Sequence, residues 1–457
     1  MKATLQSPSP LVNPAAFQSV ETLITQGQLK EAAQALNRLQ ALSPRDPRLA
    51  LLGSLLAEHS GHWAGMLGMA SRAHALAPQW YVATFRLAQA RHRNDQSGEA
   101  VKALELALQQ ASGAAPAVRV DLLQKAADIA IAVGAYRQAG QWLDALVQLA
   151  PDAQVAQLQR AQLLAHSGQH EAALAIFTEV LQRSPDNGQA RVGRMLCAQH
   201  LGQADLALQD AQYIEEHLTQ DPIAKFHAAV QLGRRPATQP AELVRQLFDQ
   251  YAHLFDQHLV RGLKYQLPQE VARLILGWYP DRQFNLLDLG CGSGLLGVCL
   301  GRIEGALIGV DLSEAMIEKA ARHNVYHRFH HTNLLDALSQ TPSGLYQVIT
   351  ALDVFGYVGD LGTALPNAWR ILGEQGRLVF SCEAQTTGRS HYAIDPLTLR
   401  YRHARPYLLQ LCQKAGFSQV EIQDIAVREE QGQAVPGFLV IATKGDPQAS
   451  APQSPTK

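Results

Sequence analysis

The chain has 457 residues, 47% hydrophobic and 6% aromatic, enough for two or three domains with cores built largely from small-residue helix packing. A formal net charge of −1 offers no basic face for gripping nucleic acid. Five cysteines without a C-x-x-C pair predict a reduced, cytoplasmic protein, and no apolar run reaches the length that spans a bilayer.

Residues 1–12 and 445–457, rich in Ser, Pro and Gln, are expected to be disordered, and Met1 to Phe17 lacks the apolar core of a signal peptide. Between them the first half repeats. Gly27, Gly61, Asp95, Gly134, Gly168 and Gly202 stand at intervals of 34, 34, 39, 34 and 34. Five residues beyond each lie Ala32, Met66, Ala100, Ala139, Ala173 and Ala207; seventeen beyond lie Pro44, Pro78, Ser112, Pro151, Pro185 and Thr219. Each unit reads as two amphipathic helices, with glycine in the turn, a small residue where the helices approach, and proline ending the second. The interval of 39 falls over Gln110–Pro116, whose loop composition predicts a longer linker.

This period and phase resemble the tetratricopeptide repeat family. The resemblance implies six repeats over 13–234, Pro222 to Gly233 serving as a capping helix, stacked as a solenoid whose concave face takes a peptide or protein partner. The alternative is an array that packs only on its own second domain or dimerises. Arg86, Arg91, His92 and Arg93 cluster in the third unit, as a ligand contact or as a solvated face.

A polar, proline-bearing linker follows at 235–241, and the pattern then switches to alternating strands and helices over 242–444. Strands are predicted at Asn285–Leu289, Ala306–Asp311, Arg328–Thr332, Gln347–Leu352, Arg377–Cys382, Val420–Val427 and Gly437–Thr443. Helices separate most of them, which calls for a mainly parallel sheet. The last two leave no room for a helix, so the final strand is antiparallel.

The first of these strands runs through Asp288 into Gly290-Cys291-Gly292-Ser293-Gly294, and the second ends at Asp311. Glycines are needed where a chain leaves a strand and a cofactor approaches bare backbone, and a carboxylate at a strand tip can accept both hydroxyls of a ribose. G-x-G-x-G after an acidic strand end resembles motif I of the class I S-adenosylmethionine (SAM) methyltransferases. The chain is thus expected to be a two-domain protein, an all-α tetratricopeptide solenoid followed by a Rossmann-like α/β domain with a seven-stranded, mainly parallel sheet. The resemblance implies SAM as cofactor, with Gly290, Gly292 and Gly294 near its methionine part and Asp288 facing the ammonium. It further implies Asp311 on the ribose, Leu312 and Met316 on the adenine, and Asn333-Leu334 at the adenine edge, Asn333 standing where an aspartate is usual. Leu247–Leu259 resembles the F-D-x-Y-A-x-x-F-D opening of small-molecule methyltransferases, so that Tyr251, with Tyr265, would close over the cofactor; an ordinary amphipathic helix is the other reading.

Asp353, ending the fourth strand at the carboxyl edge where open α/β sheets bind ligands, is a catalytic candidate or a plain loop carboxylate. Insertions between the fifth and sixth strands line acceptor pockets in such enzymes. Here that segment carries Gly388-Arg389-Ser390-His391-Tyr392 and Arg400-Tyr401-Arg402-His403-Ala404-Arg405. Tyr401 and His403 could orient or deprotonate an acceptor, and the three arginines could hold a carboxylate or phosphate; a polar helix start is the other reading. His323, His327, His330 and His331 lack a metal-ligand arrangement, so no metal is expected. No N/D-P-P-Y/F follows the fourth strand, which disfavours amino methylation of nucleobases or glutamine. The expected activity is methyl transfer to a small-molecule or protein- or carrier-bound acceptor, the repeats recruiting a partner or substrate. The competing reading is a repeat scaffold with a SAM-binding, non-catalytic domain.

Overall fold

A computed structural model describes residues 13–251, 265–386, 390–396, 398–430 and 432–445. By packing, the chain divides into two compact units, Met1–Gln169 and His170–Lys457.

The first unit is all helix. Pairs at Pro14–Thr25 and Leu29–Leu42, Pro47–His59 and Trp63–Leu76, Tyr81–Arg93 and Ser97–Gln110, and Pro116–Ala132 and Tyr136–Leu149 are followed by Gln154–His166. Gly27, Gly61, Asp95, Gly134 and Gly168 all have φ between 58° and 78°, the left-handed turn the spacing demanded. At the first, Gly27 N–H donates to Ile24 O and Gln28 N–H to Leu23 O, a Schellman cap that satisfies the last carbonyls of the helix. The residues five positions on, Ala32, Met66, Ala100 and Ala139, have no exposed surface. Each therefore sits where a larger side chain would force the helices apart.

The interval of 39 is resolved differently from the sequence expectation. The loop after Gln110 is one residue longer than its counterparts, and the other four residues lengthen the helix Pro116–Ala132 to 17 residues. Ala126, Ala127 and Ala130 in that helix are fully buried, so the extra turn has a packed face to support it.

The second unit opens with His170–Arg183, Gly188–His200, Ala204–His217 and Pro222–Gln231, in which Gly202 keeps the left-handed turn and Ala173 and Ala207 the buried contact. Asp221 caps the last of these, accepting from the N–H groups of Ile223 and Ala224.

The rest of this unit is built on a sheet of nine strands among the described residues: β1 Leu286–Leu289, β2 Leu307–Asp311, β3 Arg328–His331, β4 Tyr346–Ala351, β5 Leu372–Ala384, β6 Tyr392–Ile394, β7 Tyr401–His403, β8 Gln419–Glu430 and β9 Gln433–Thr443. β1 lies parallel between β2 and β4; β3 flanks β2, and β5 flanks β4. β9 is antiparallel to both β5 and β8, as the helix-free connection required. The two strands not predicted, β6 and β7, form a short antiparallel ribbon whose β7 extends the carboxyl end of β5.

Side-chain alternation divides the core in two. Leu287, Leu289, Ile349, Leu378 and Phe380 face one apolar layer with the helices Ala364–Ile371 and Arg405–Ala415. Leu286, Leu307, Val348 and Val379 face the other with Leu267–Trp278 and Leu295–Leu300. Covered on both faces, β1 is buried at all four positions, which is why it reads as a nearly continuous apolar run. Because the chain leaves β1 toward β2 on one side and returns through β4 on the other, the carboxyl ends of β1 and β4 border the crevice of a topological switch point.

Candidate functional site

The turn after β1 carries three left-handed residues, Gly290, Gly292 and Gly294, at φ 64°, 53° and 85°. A Cβ on Gly290 would stand 2.5 Å from Val354 Cγ2, so the turn lies against the segment that leaves β4. Cys291 is buried inside the turn, and burial beside Asp311 and Asp288 pushes its thiol well up, which suits a residue with no nucleophilic task.

Asp311 joins the ends of β1 and β2. Its Oδ2 accepts the Gly292 N–H at 2.8 Å and its Oδ1 the Ser313 N–H at 2.9 Å. Burial raises its pKa, while these amides and that of Leu312 pull the other way. Between them the two oxygens keep acceptor capacity for a further donor. Ser313 caps the helix Glu314–Arg322 through Met316 N–H and donates its hydroxyl to Asp249 Oδ1 at 2.6 Å. The helix Ala241–Tyr251 is thereby fastened beside the tip of β2. The side chain of Tyr251, and residues 252–259 of the F-D-x-Y-A run, lie outside the described residues.

Leu312 is half-buried and Met316 wholly buried. Asn333 caps the helix Leu334–Gln340, its Oδ1 accepting the Leu335 N–H at 2.8 Å, and Leu334 packs partly buried on the core.

Asp288 is 3% exposed. Tyr326 donates its hydroxyl to Oδ2 and Thr350 to Oδ1, each at 2.7 Å. Burial pushes its pKa up to about 6 against these two donors. Neither hydroxyl was picked out from the sequence; the available signal for Thr350 was a polar residue within the apolar run Val348-Ile349-Thr350-Ala351. Tyr265 is buried, and Asp353 and Asp288 both act on it electrostatically.

On the β4 side, Asp353 holds φ 56°, outside the usual range of a non-glycine residue, and its N–H donates to Ser381 Oγ at 2.8 Å. Its Oδ1 pairs with Arg400 and, at 3.3 Å, with Arg428. Glu383 Oε1 takes the same two arginines, Arg428 at 2.8 Å. Arg400 also donates to Tyr357 Oη at 2.7 Å, and Arg428 to Glu430. Burial alone would raise Glu383, but the two guanidiniums bring it below its ordinary value.

Each of the three arginines expected to hold an anion has an acidic partner in the protein. Arg400 is held by Asp353 and Glu383, Arg402 pairs with Asp395 at 2.7 Å, and Arg405 with Asp424 at 2.8 Å. Two carboxylates already face the buried Arg400 guanidinium, which leaves it little net attraction for an anionic acceptor, whereas Arg402 and Arg405 are exposed. Tyr401 and His403 are also placed differently from the expectation, with no exposed surface. Tyr401 donates to Pro236 O at 2.8 Å, and His403 Nε2 faces the carbonyls of Val358 and Gly359 at 3.0 and 3.1 Å. Burial takes the imidazole down to about 4, so it is neutral at pH 7 and serves as a donor to backbone. Among the described residues no group of three or more His, Cys, Asp or Glu is placed to hold a metal; His327 and His331 bond backbone groups instead.

Residues 251–422 match a family described as a methyltransferase domain, and residues 156–187 one described as a tetratricopeptide repeat. An uncharacterized protein of Haemophilus influenzae is 34% identical over 115 residues, 22% of this chain and 43% of that protein. A ubiquinone biosynthesis O-methyltransferase of Acinetobacter baumannii is 25% identical over 139 residues, 28% of this chain and 57% of that protein. The chain thus spans about half the length of the curated relatives it matches. The solved structure of Burkholderia thailandensis 1,6-didemethyltoxoflavin-N1-methyltransferase is 20% identical, covering 46% of this chain and 93% of that one at a TM-score of 0.37. Among the described residues fifteen helices precede a sheet whose inner order is β3-β2-β1-β4-β5, whose β9 runs antiparallel and whose glycine turn closes on Asp311, so the chain joins a stretch similar to the tetratricopeptide repeat to an α/β domain similar to the SAM-dependent methyltransferases.

Proposed function

We propose that the chain transfers a methyl group from SAM to a small-molecule or protein- or carrier-bound acceptor, with repeats at 13–234 recruiting a partner or substrate, a linker at 235–241 and the transferase at 242–444. The observation that carries this reading is the bond from Gly292 N–H to Asp311, which makes one cradle of a left-handed glycine turn and a strand-tip carboxylate. SAM, when bound, supplies an electrophilic methyl group on its sulfonium.

The chain's own residues do the rest. Gly290, Gly292 and Gly294 leave bare backbone for the amino-acid end, and Asp288 receives its ammonium. Asp311 takes the ribose hydroxyls on its remaining lone pairs, Leu312 and Met316 the adenine face, and Asn333 with Leu334 its edge. Tyr251 closes the helix Ala241–Tyr251 over the cofactor, and the Asp249–Ser313 bond supports that placement. Asp353 borders the acceptor, oriented by Arg400, Arg428 and Ser381. Alignment of an acceptor with the departing sulfur contributes on the order of 7–11 kcal/mol in ideal systems, so the reaction does not require a strong base. The name of the Acinetobacter relative puts O-methylation among the candidate reactions. A reduced, cytoplasmic setting follows from the cysteine pattern, and no described helix is long and apolar enough to cross a membrane.

A second reading, a repeat scaffold whose domain binds SAM without turnover, is favoured by one observation: Tyr401 and His403 are buried on backbone carbonyls. Incubating the full chain and its Asp311→Ala variant with methyl-labelled SAM and a size-fractionated cell extract separates the readings. Label that depends on Asp311 supports transfer, and the fraction carrying it gives the acceptor class. SAM binding with no label in any fraction favours the scaffold.

A further inference from the structure

Asp288 is a buried carboxylate with no basic partner among the described residues. From β2 it faces Asp311, from the glycine turn Cys291, from ahead of the helix Leu267–Trp278 Tyr265, and from the segment before β3 Tyr326. A buried, uncompensated charge is costly, and it marks the place where a cationic group of a ligand gains most. The only hydrogen bonds described to its side chain come from two neutral hydroxyls, one on each oxygen. Hydroxyls hold a carboxylate's orientation without cancelling its charge, which an arginine or lysine would do.

We propose that Tyr326 is a positioning residue of the cofactor site: it fixes the Asp288 carboxylate, with Thr350, so that the free lone pairs meet the ammonium of SAM. This rests on the cofactor reading given above. Tyr326 lies outside the glycine turn, between the helix Glu314–Arg322 and β3, yet the sequence makes room for its ring. A Cβ on Gly297 would stand 2.3 Å from Tyr326 Cε2 and 2.8 Å from its Cζ, and one on Gly294 3.1 Å from Cε2. The ring also leans on Phe329 at 4.9 Å between centroids. Gly294 thus serves twice, as a left-handed turn residue and as part of the notch through which Tyr326 reaches Asp288.

The test is calorimetric binding of S-adenosylhomocysteine, and separately of methylthioadenosine, to the full chain and its Tyr326→Phe and Thr350→Val variants from pH 5.5 to 8.5. Methylthioadenosine keeps the adenine and ribose but lacks the amino-acid end. Tyr326→Phe keeps the ring in its notch and removes one donor. It is expected to weaken S-adenosylhomocysteine about 10-fold at pH 7.5, to move the pH midpoint of its binding upward, and to leave methylthioadenosine unchanged. Thr350→Val is expected to act in the same direction. Unchanged homocysteine-ligand affinity and midpoint, or an equal loss for both ligands, overturns the proposal, the latter indicating a structural role. Failure of the unsubstituted protein to bind either ligand overturns the cofactor reading itself, together with this role for Tyr326.

Discussion

The backbone N–H of Gly292 donates to the Asp311 carboxylate at 2.8 Å, so the turn after β1 and the tip of β2 are one unit. A side chain expected to serve the ligand also holds the loop that receives it. Asp311→Ala should therefore cost both stability and binding: about 1–3 kcal/mol in urea unfolding from the amides left without an acceptor, and at least 10-fold in S-adenosylhomocysteine affinity. Asp311→Asn, which retains one acceptor oxygen, should fall between. Full stability in Asp311→Ala would mean that solvent satisfies Gly292 and Ser313.

Asp288 has the opposite balance. Its pKa rises from 3.8 to about 6 in the folded protein, so the native state holds a proton that the unfolded chain has released. Its contribution to stability is lost as pH climbs from about 4 through 6, and above that the ionised buried group is a liability. Asp288→Asn should stabilise the ligand-free protein at pH 8 by about 1–2 kcal/mol, after allowing for one hydroxyl that loses its acceptor. The same change should abolish ammonium recognition. Thermal melts at pH 4.5 and 8 with and without S-adenosylhomocysteine would check the sign: the gain should be confined to the higher pH and to the free protein.

Glu383 and Asp353 share Arg400 and Arg428. Removing one charge from such a buried set leaves its partners under-compensated, which costs about 3–5 kcal/mol. Glu383→Gln should lose stability in that range, and inorganic phosphate should then stabilise the variant where it leaves the unsubstituted protein unaffected. A phosphate effect of equal size in both would show that the arginines are available to anions after all.

In the repeats, Asp95 occupies with φ 58° the left-handed turn position that every other unit gives to glycine. Asp95→Gly should stabilise the chain by about 0.5–1 kcal/mol in denaturant, whereas Gly61→Asp at the equivalent position should destabilise it by a similar amount. Two changes of the same sign would mean that contacts of the Asp95 side chain outweigh the backbone term.

What the sequence determined by itself was whatever the backbone demands locally. A left-handed turn needs glycine or a tolerant aspartate, so Gly27, Gly61, Asp95, Gly134, Gly168 and Gly202 declared six helix pairs, and Gly290, Gly292 and Gly294 declared a turn that the structure builds with positive φ at all three. Period-two and period-3.6 patterns supplied seven of the nine strands and the helices between them. What tertiary structure decided were the partners and the surroundings of side chains. The five extra residues of the third interval could be a loop or most of a helical turn; the buried alanines of Pro116–Ala132 settled them as mostly helix. Tyr401, His403 and the three arginines read as a reactive lid because side-chain chemistry is visible in a sequence while burial is not; once β7 paired with β5, the aromatic and the imidazole went inside. Thr350 and Tyr326 stand 62 and 38 residues from the carboxylate they hold, and Arg428 75 from Asp353. Such contacts depend on how strands far apart in the chain are ordered in the sheet, and no local propensity records that order.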